Sequence, residues 1–247
     1  MKKNIWSSPD LITKKILFID GLTRAGKSMV GPVVSSLSKT YPMQSQEFID
    51  KLMPILSKKE IDKNIVRSLI VSFINQNIYN INISRSINLR PGDYTSFVND
   101  KNYLNFIKNL KKKEGDHVID QIKRKNLWLI YATHDLLSML NSFNKLDIPY
   151  KIIYTYRHPV DNIFSLFART KNRLKAFNKL KYNLNHPRAY SMMIKHNGIL
   201  LPYYSEKKEN FFLKLNFAEK SAFYYFNKMY KSIQEFKKNK KNIYLLR

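Results

Sequence analysis

The stretch Lys15-Ile16-Leu17-Phe18-Ile19-Asp20-Gly21-Leu22-Thr23-Arg24-Ala25-Gly26-Lys27-Ser28 decides the fold. Its first half is a short apolar run closed by a glycine, which reads as a buried strand. Its second half, Gly21 to Ser28, spells G-x-x-x-x-G-K-S, the phosphate-loop pattern. Apolar spacing from Ser28 to Lys39 is helical. In such a strand–loop–helix unit the glycines let backbone approach phosphate closely. The loop amides and the helix N-terminus then supply fixed positive potential. Lys27 adds a point charge and Ser28 a hydroxyl, so Gly21, Leu22, Thr23, Arg24, Ala25, Gly26, Lys27 and Ser28 are together a candidate phosphate cradle.

The same alternation continues outward. Tyr41–Ser45 predicts a brief extended piece, and 46–57 and 60–82 predict helices. Asn88–Tyr94 is turn-rich, and 102–124 predicts a helix. Leu127–Ala132 and Tyr150–Tyr156 predict strands, with a helix over 135–146 between them. A helix follows from Pro159 to about 180, since Pro suits a first turn. Residues 183–206 read as irregular, 208–237 as helical, and Asn242–Leu246 as a last strand. A chain ending on a buried strand is expected to be cut short at its C-terminus, and 1–14 is expected to be a loose lead-in. Strands alternating with helices argue for one three-layer α/β domain, a central parallel sheet with helices on both faces. Ligands of such sheets bind at the carboxyl ends of the strands.

Two further features fall at such ends. Arg157-His158-Pro159-Val160-Asp161-Asn162-Ile163-Phe164-Ser165 follows one strand. Its Arg offers a planar fork for phosphate oxygens, and Ser165 lies about two helical turns on. Read alone, Arg157 could equally pair with Asp161. Ala132-Thr133-His134-Asp135 follows another strand, and His134 read alone is a residue at a helix start. His117, His158, His186 and His196 show no metal spacing. The aromatic run from Phe211 to Phe226 reads as core.

A formal net charge of +26 is compatible with polyanionic partners. Joint enrichment in Lys, Asn, Ile, Tyr and Phe also fits the composition that an AT-rich genome imposes. There is no apolar run of membrane-spanning length and no signal-peptide pattern. The chain has no cysteine, which excludes disulfides and fits a reducing cytoplasm.

In order and spacing, the two phosphate motifs resemble the sulfotransferases that use 3′-phosphoadenosine 5′-phosphosulfate (PAPS). In that family a degenerate phosphate loop holds the 5′-phosphosulfate, and an R-x-P-x-D-x-x-x-S segment holds the 3′-phosphate. Arg157, Pro159, Asp161 and Ser165 match that spacing. The family's strand running into K-T-H, with a catalytic His, is matched by Ala132-Thr133-His134. The resemblance covers residues 15–175. It implies a P-loop sulfotransferase fold and PAPS as donor, with no metal. Arg24 and Lys27 would stabilise the leaving phosphate, and His134 would take the proton of a glycan or small-molecule hydroxyl. Two departures stand out: Lys27 occupies the place of a usual Thr, and Ala132 that of the Lys before the His. The complete G-x-x-x-x-G-K-S keeps open an ATP- and magnesium-dependent kinase, with Arg157, Arg169 and Arg173 as phosphoryl clamps. A basic nucleic-acid-binding protein would explain the charge but neither motif, and no nucleic-acid partner is expected.

Overall fold

The computed structural model describes Ser7, residues 9–45, 47–177 and 192–247, with side chains described except at 169–177. Five parallel strands form the central sheet in the order β2-β3-β1-β4-β7: β1 Ile16–Asp20, β2 Gln44–Ser45, β3 Leu129–Ala132, β4 Lys151–Thr155 and β7 Ile243–Leu246. The four longer strands are those the apolar runs predict.

Alternation along β1 divides the core into two layers. Ile16 and Phe18 face the larger core. It is built with α2 (Glu47–Ser57), α3 (Lys63–Asn82), α5 (Asp116–Lys125) and α6 (Leu140–Asn144). Leu17 and Ile19 face the other way, onto Val30 and Val34 of α1 (Lys27–Ser35). Helices therefore cover both faces of a parallel sheet, as expected for a three-layer α/β fold. Among the described residues the remaining α-helices are α4 (Tyr103–Asn109), α7 (Pro159–Phe177), α8 (Glu209–Lys214) and α9 (Phe217–Asn239). Asn216 and Glu219 close α9 with a capping box. Among the described residues no helix is long and apolar enough to cross a membrane.

Several boundaries depart from the sequence reading. The helix expected over 102–124 is two helices, α4 and α5, parted by a turn that ends at Gly115 with φ +141°. The first helix stops at Ser35 instead of Lys39. The helix expected over 135–146 is a 3₁₀ turn, Leu137–Met139, followed by the short α6. Residues 183–206 are not wholly irregular. Part of them lies outside the described residues, but Met193–His196 (β5) and Ile199–Pro202 (β6) pair as an antiparallel hairpin. Its turn is Asn197-Gly198, both at positive φ, the pairing that a two-residue hairpin favours. The expected 208–237 helix breaks at Leu215–Asn216 into α8 and α9.

The turn out of β1 brings its backbone close to the end of β4. Gly21 has φ +144°, and a Cβ there would stand 2.3 Å from the Thr155 carbonyl oxygen at the end of β4. Gly21→Ala is predicted to destabilise the fold by roughly 2–4 kcal/mol, from strained backbone plus an overlap that only strand movement relieves. Gly92→Ala, where no atom lies within 4 Å of the added carbon, should stay close to wild type. Urea unfolding of both variants checks this, and equal midpoints would contradict it.

Candidate functional site

The carboxyl ends of β3, β1 and β4 lie side by side, so the three segments singled out in the sequence converge. Register explains the contacts. Ile19 pairs with Ala132 and Asp20 with Tyr154. Asp20 therefore sits between Thr133 and Thr155. Its Oδ1 accepts the Thr133 hydroxyl at 3.0 Å, its Oδ2 accepts the Leu137 N–H at 2.7 Å, and its carbonyl accepts the Thr155 hydroxyl at 3.2 Å.

The two phosphate motifs touch directly. Arg24 Nε donates to Ser165 Oγ at 2.9 Å, and Asn162 Nδ2 donates to the Thr23 carbonyl at 3.3 Å. Beneath these bonds Leu22 packs against Ile163, Leu166 and the rings of Tyr224 and Tyr225. Arg24 holds φ +74°, a conformation uncommon for a non-glycine residue. It presents an exposed side chain, as does Ser28. Gly26, at φ +102°, opens α1. Ala25 is buried, its N–H bonded to the Leu22 carbonyl at 3.0 Å.

Lys27 is buried instead of projecting from the loop. Its ammonium donates to the Gly21 carbonyl and, at 3.0 Å, to that of Leu22. Burial pulls its pKa down, while Asp20, Asp50 and Asp135 oppose that pull. Arg157 is exposed and, among the described residues, no ion pair joins it to Asp161. Its carbonyl accepts the Tyr225 hydroxyl at 3.3 Å. The Arg157 side chain lies on the wall of a cavity of about 650 Å³, with Tyr154, Tyr156, Tyr225, Phe236 and Leu245.

His134 is nearly buried, at 9 % exposure. Its N–H donates to Asp50 Oδ2 at 2.8 Å, and the same oxygen lies 3.4 Å from its Nδ1. Asp50 Oδ1 accepts the Asp135 N–H at 3.2 Å. Burial first, then Lys27, holds the imidazole down to about 3, so it is neutral. Burial and the neighbouring Asp135 push the Asp50 carboxyl up to about 8. Asp20 is likewise raised, by burial and then by Asp50. From α9, Lys228 pairs with Asp135 Oδ2 at 3.0 Å, donates to the Tyr203 hydroxyl and lies 4.1 Å from the centre of that ring.

The sequence reading thus found Lys27 and His134 of this cluster but passed over Asp20, Asp50 and Lys228. A signal existed for two of them. Lys228 lies on the buried stripe Ser221, Tyr224, Tyr225, Lys228, Ser232 of α9, and Asp50 sits among the buried residues of α2. A charge on a core-facing stripe is rare unless paired. Asp20 ends its strand in plain view. Of the other histidines, His117 and His158 are exposed, His196 is half-buried and His186 lies outside the described residues. Among the described residues no group of three or more His, Asp or Glu is placed to hold a metal ion. The Arg90–Tyr94 segment is a turn, with the Asp93 N–H on the Arg90 carbonyl at 3.1 Å. The aromatic run is only partly core: Phe212, Tyr224 and Tyr225 are buried, while Phe211 and Phe226 are exposed. No protein-family model, curated protein or solved structure matches the chain.

Strongly shifted groups cluster at functional sites, and structural ion-pair networks shift them as well. They also predict how stability varies with pH. Native Asp50 keeps its proton from pH 3.8, its ordinary value, up to about 8. Its contribution is therefore full below 3.8 and is lost as pH rises through 8. His134 acts oppositely: its contribution is full above 6.5 and is lost as pH falls through about 3. The two slopes oppose each other between about 4 and 6.5, and only the Asp50 slope remains above that. Stability should fall from pH 6.5 to 8 in wild type and fall less in Asp50→Asn, as read by urea unfolding across that range.

The Lys228–Asp135 pair gives a second prediction. Lys228→Met should cost about 3–5 kcal/mol, because it strands a buried carboxylate. Adding Asp135→Asn should recover most of that loss. A double variant as unstable as the sum of the singles would contradict it.

Proposed function

We propose that the chain is a cytoplasmic sulfotransferase that moves the sulfuryl group of PAPS to a hydroxyl of a carbohydrate or other polar metabolite. The observation that carries this reading is the Arg24–Ser165 hydrogen bond. It joins the loop suited to a 5′-phosphate and the segment suited to a 3′-phosphate into one surface. A triphosphate needs only the first. A donor phosphorylated at both ends of its ribose would use both.

In this reading the amides of Gly21–Ser28 and the start of α1 hold the 5′-phosphosulfate. Arg157 and Ser165 hold the 3′-phosphate. Arg24, between them, and Lys27 meet the charge that grows on the leaving phosphate. Lys27 must first exchange the Gly21 and Leu22 carbonyls for phosphate oxygens. The aromatic cavity beside Arg157 is of ligand size and suits the nucleoside. His134, two residues past β3, takes the acceptor proton. The transfer as written needs no metal ion.

Calorimetry with adenosine 3′,5′-bisphosphate, set against ATP with magnesium, tests the reading. Tighter binding of the bisphosphate is expected, and preference for ATP with magnesium would replace the reading with a kinase. Arg157→Ala should weaken the bisphosphate by tens of fold, the loss of two charge-assisted bonds of about 2–3 kcal/mol together. It should barely change binding of adenosine 5′-phosphate. Equal losses for both ligands would show that Arg157 does not read the 3′ group.

A further inference from the structure

Asp50 reaches His134 from α2, 84 residues earlier in the chain. A single oxygen, Oδ2, accepts the His134 main-chain N–H at 2.8 Å and lies 3.4 Å from Nδ1 of the same residue's ring. The other oxygen is held by the next amide, that of Asp135. Both oxygens are thus anchored to the backbone that carries His134, and Asp50 itself is 3 % exposed. A carboxylate fixed this way cannot swing aside, so it constrains which imidazole nitrogen carries the proton.

We propose that Asp50 is the positioning residue for His134, holding the ring as the Nδ1–H tautomer so that Nε2 receives the acceptor's proton. This rests on the sulfotransferase reading for its reaction, though not for its geometry. The acceptor oxygen forms its bond to sulfur as the bond from sulfur to the bridging phosphate oxygen breaks. The electron pair leaves with adenosine 3′,5′-bisphosphate. The acceptor proton passes to Nε2, and the resulting imidazolium is met by the Asp50 carboxylate. The 3.4 Å approach is not itself a hydrogen bond and has to close on substrate binding, as catalytic contacts commonly do.

Among the described residues the titratable groups around this pair are Asp20 of β1, Lys27 of α1, Glu47 of α2, Asp135 after β3, Tyr203 after β6 and Lys228 of α9. A protonated Asp50 would turn its hydroxyl on Nδ1 and leave the proton on Nε2, the unreactive arrangement. Turnover should therefore rise with pH as Asp50 ionises, and the limb should be absent from a variant that cannot ionise there.

Three measurements test this. Turnover of PAPS with a hydroxyl acceptor should fall at least about 100-fold in Asp50→Asn, with the donor KM unchanged and the rising limb gone. In a double-mutant cycle with His134→Gln, Asp50→Asn should cost nothing further, because Asp50 acts only through His134. Imidazole ¹⁵N spectra of the wild-type protein at pH 9 should show His134 as the Nδ1–H tautomer, and this needs neither a folded variant nor turnover. An Nε2–H ring at pH 9, a retained pH limb in Asp50→Asn, or losses that multiply independently would each overturn the proposal. If PAPS is not turned over at all, the sulfotransferase reading falls, and the imidazole spectrum alone still decides for or against the Asp50 contact.

Discussion

Asp20 holds three strand ends together. Its side chain takes the Thr133 hydroxyl and the Leu137 N–H, and its carbonyl takes the Thr155 hydroxyl. Everything at the top of the sheet follows from this. The phosphate loop leaves β1 immediately after Asp20, the His134 segment leaves β3 beside it, and the Arg157 segment leaves β4 on its other side. A fully buried carboxylate is a poor source of net stability, because desolvation offsets most of what its hydrogen bonds contribute. Its value here is geometric. It satisfies donors that the parallel sheet leaves over at its carboxyl edge, and in doing so fixes how far apart the three segments sit.

The same demand accounts for where the sequence was legible and where it was not. The four long strands announced themselves because each is a short apolar run with turn residues at its end. The 135–146 helix opens instead as a 3₁₀ turn, Leu137–Met139, ahead of the short α6. Asp50 takes the Asp135 N–H and Asp20 takes the Leu137 N–H. Both carboxylates satisfy amides that the start of a helix leaves without internal partners, and both come from distant elements, α2 and β1. Periodicity over that window reads apolar burial correctly but is blind to partners from distant sequence. The 102–124 break is different, since it was local: Gly115 at φ +141° ends the pattern. The β5–β6 hairpin was local too. Asn197-Gly198 is a strong hairpin signal, and it was masked by neighbouring Pro202 and by short flanking runs.

The site divides along the same line. Its motif half, Gly21–Ser28 with Arg157 and Ser165, is written in contiguous segments and could be read directly, with Arg24, Ser28 and Arg157 facing solvent. Its buried half is assembled from single residues on α2 and α9, separated by most of the chain. Asp50 and Lys228 carry no motif, only the anomaly of a charge on a core-facing stripe. That anomaly becomes meaningful only once both are seen to converge on one dipeptide, His134-Asp135, Asp50 through the backbone and ring and Lys228 through the Asp135 carboxylate.

This layering gives the strand-end surface its electrostatic character. Below the loop, Lys27 lies in the field of Asp20, Asp50 and Asp135, and Lys228 pairs with Asp135 at 3.0 Å. Above it, Arg24 and Arg157 are exposed, and the loop amides and the start of α1 add to them. The overall charge of +26 reinforces that outer field only within a Debye length of about 8 Å. In the proposed reading the exposed arginines and the loop would attract the anionic donor, and the enclosed His134–Asp50 contact would govern the proton. The two are separable because they occupy different depths: a substitution at the rim should alter binding without retuning the imidazole, and one beneath it should do the reverse.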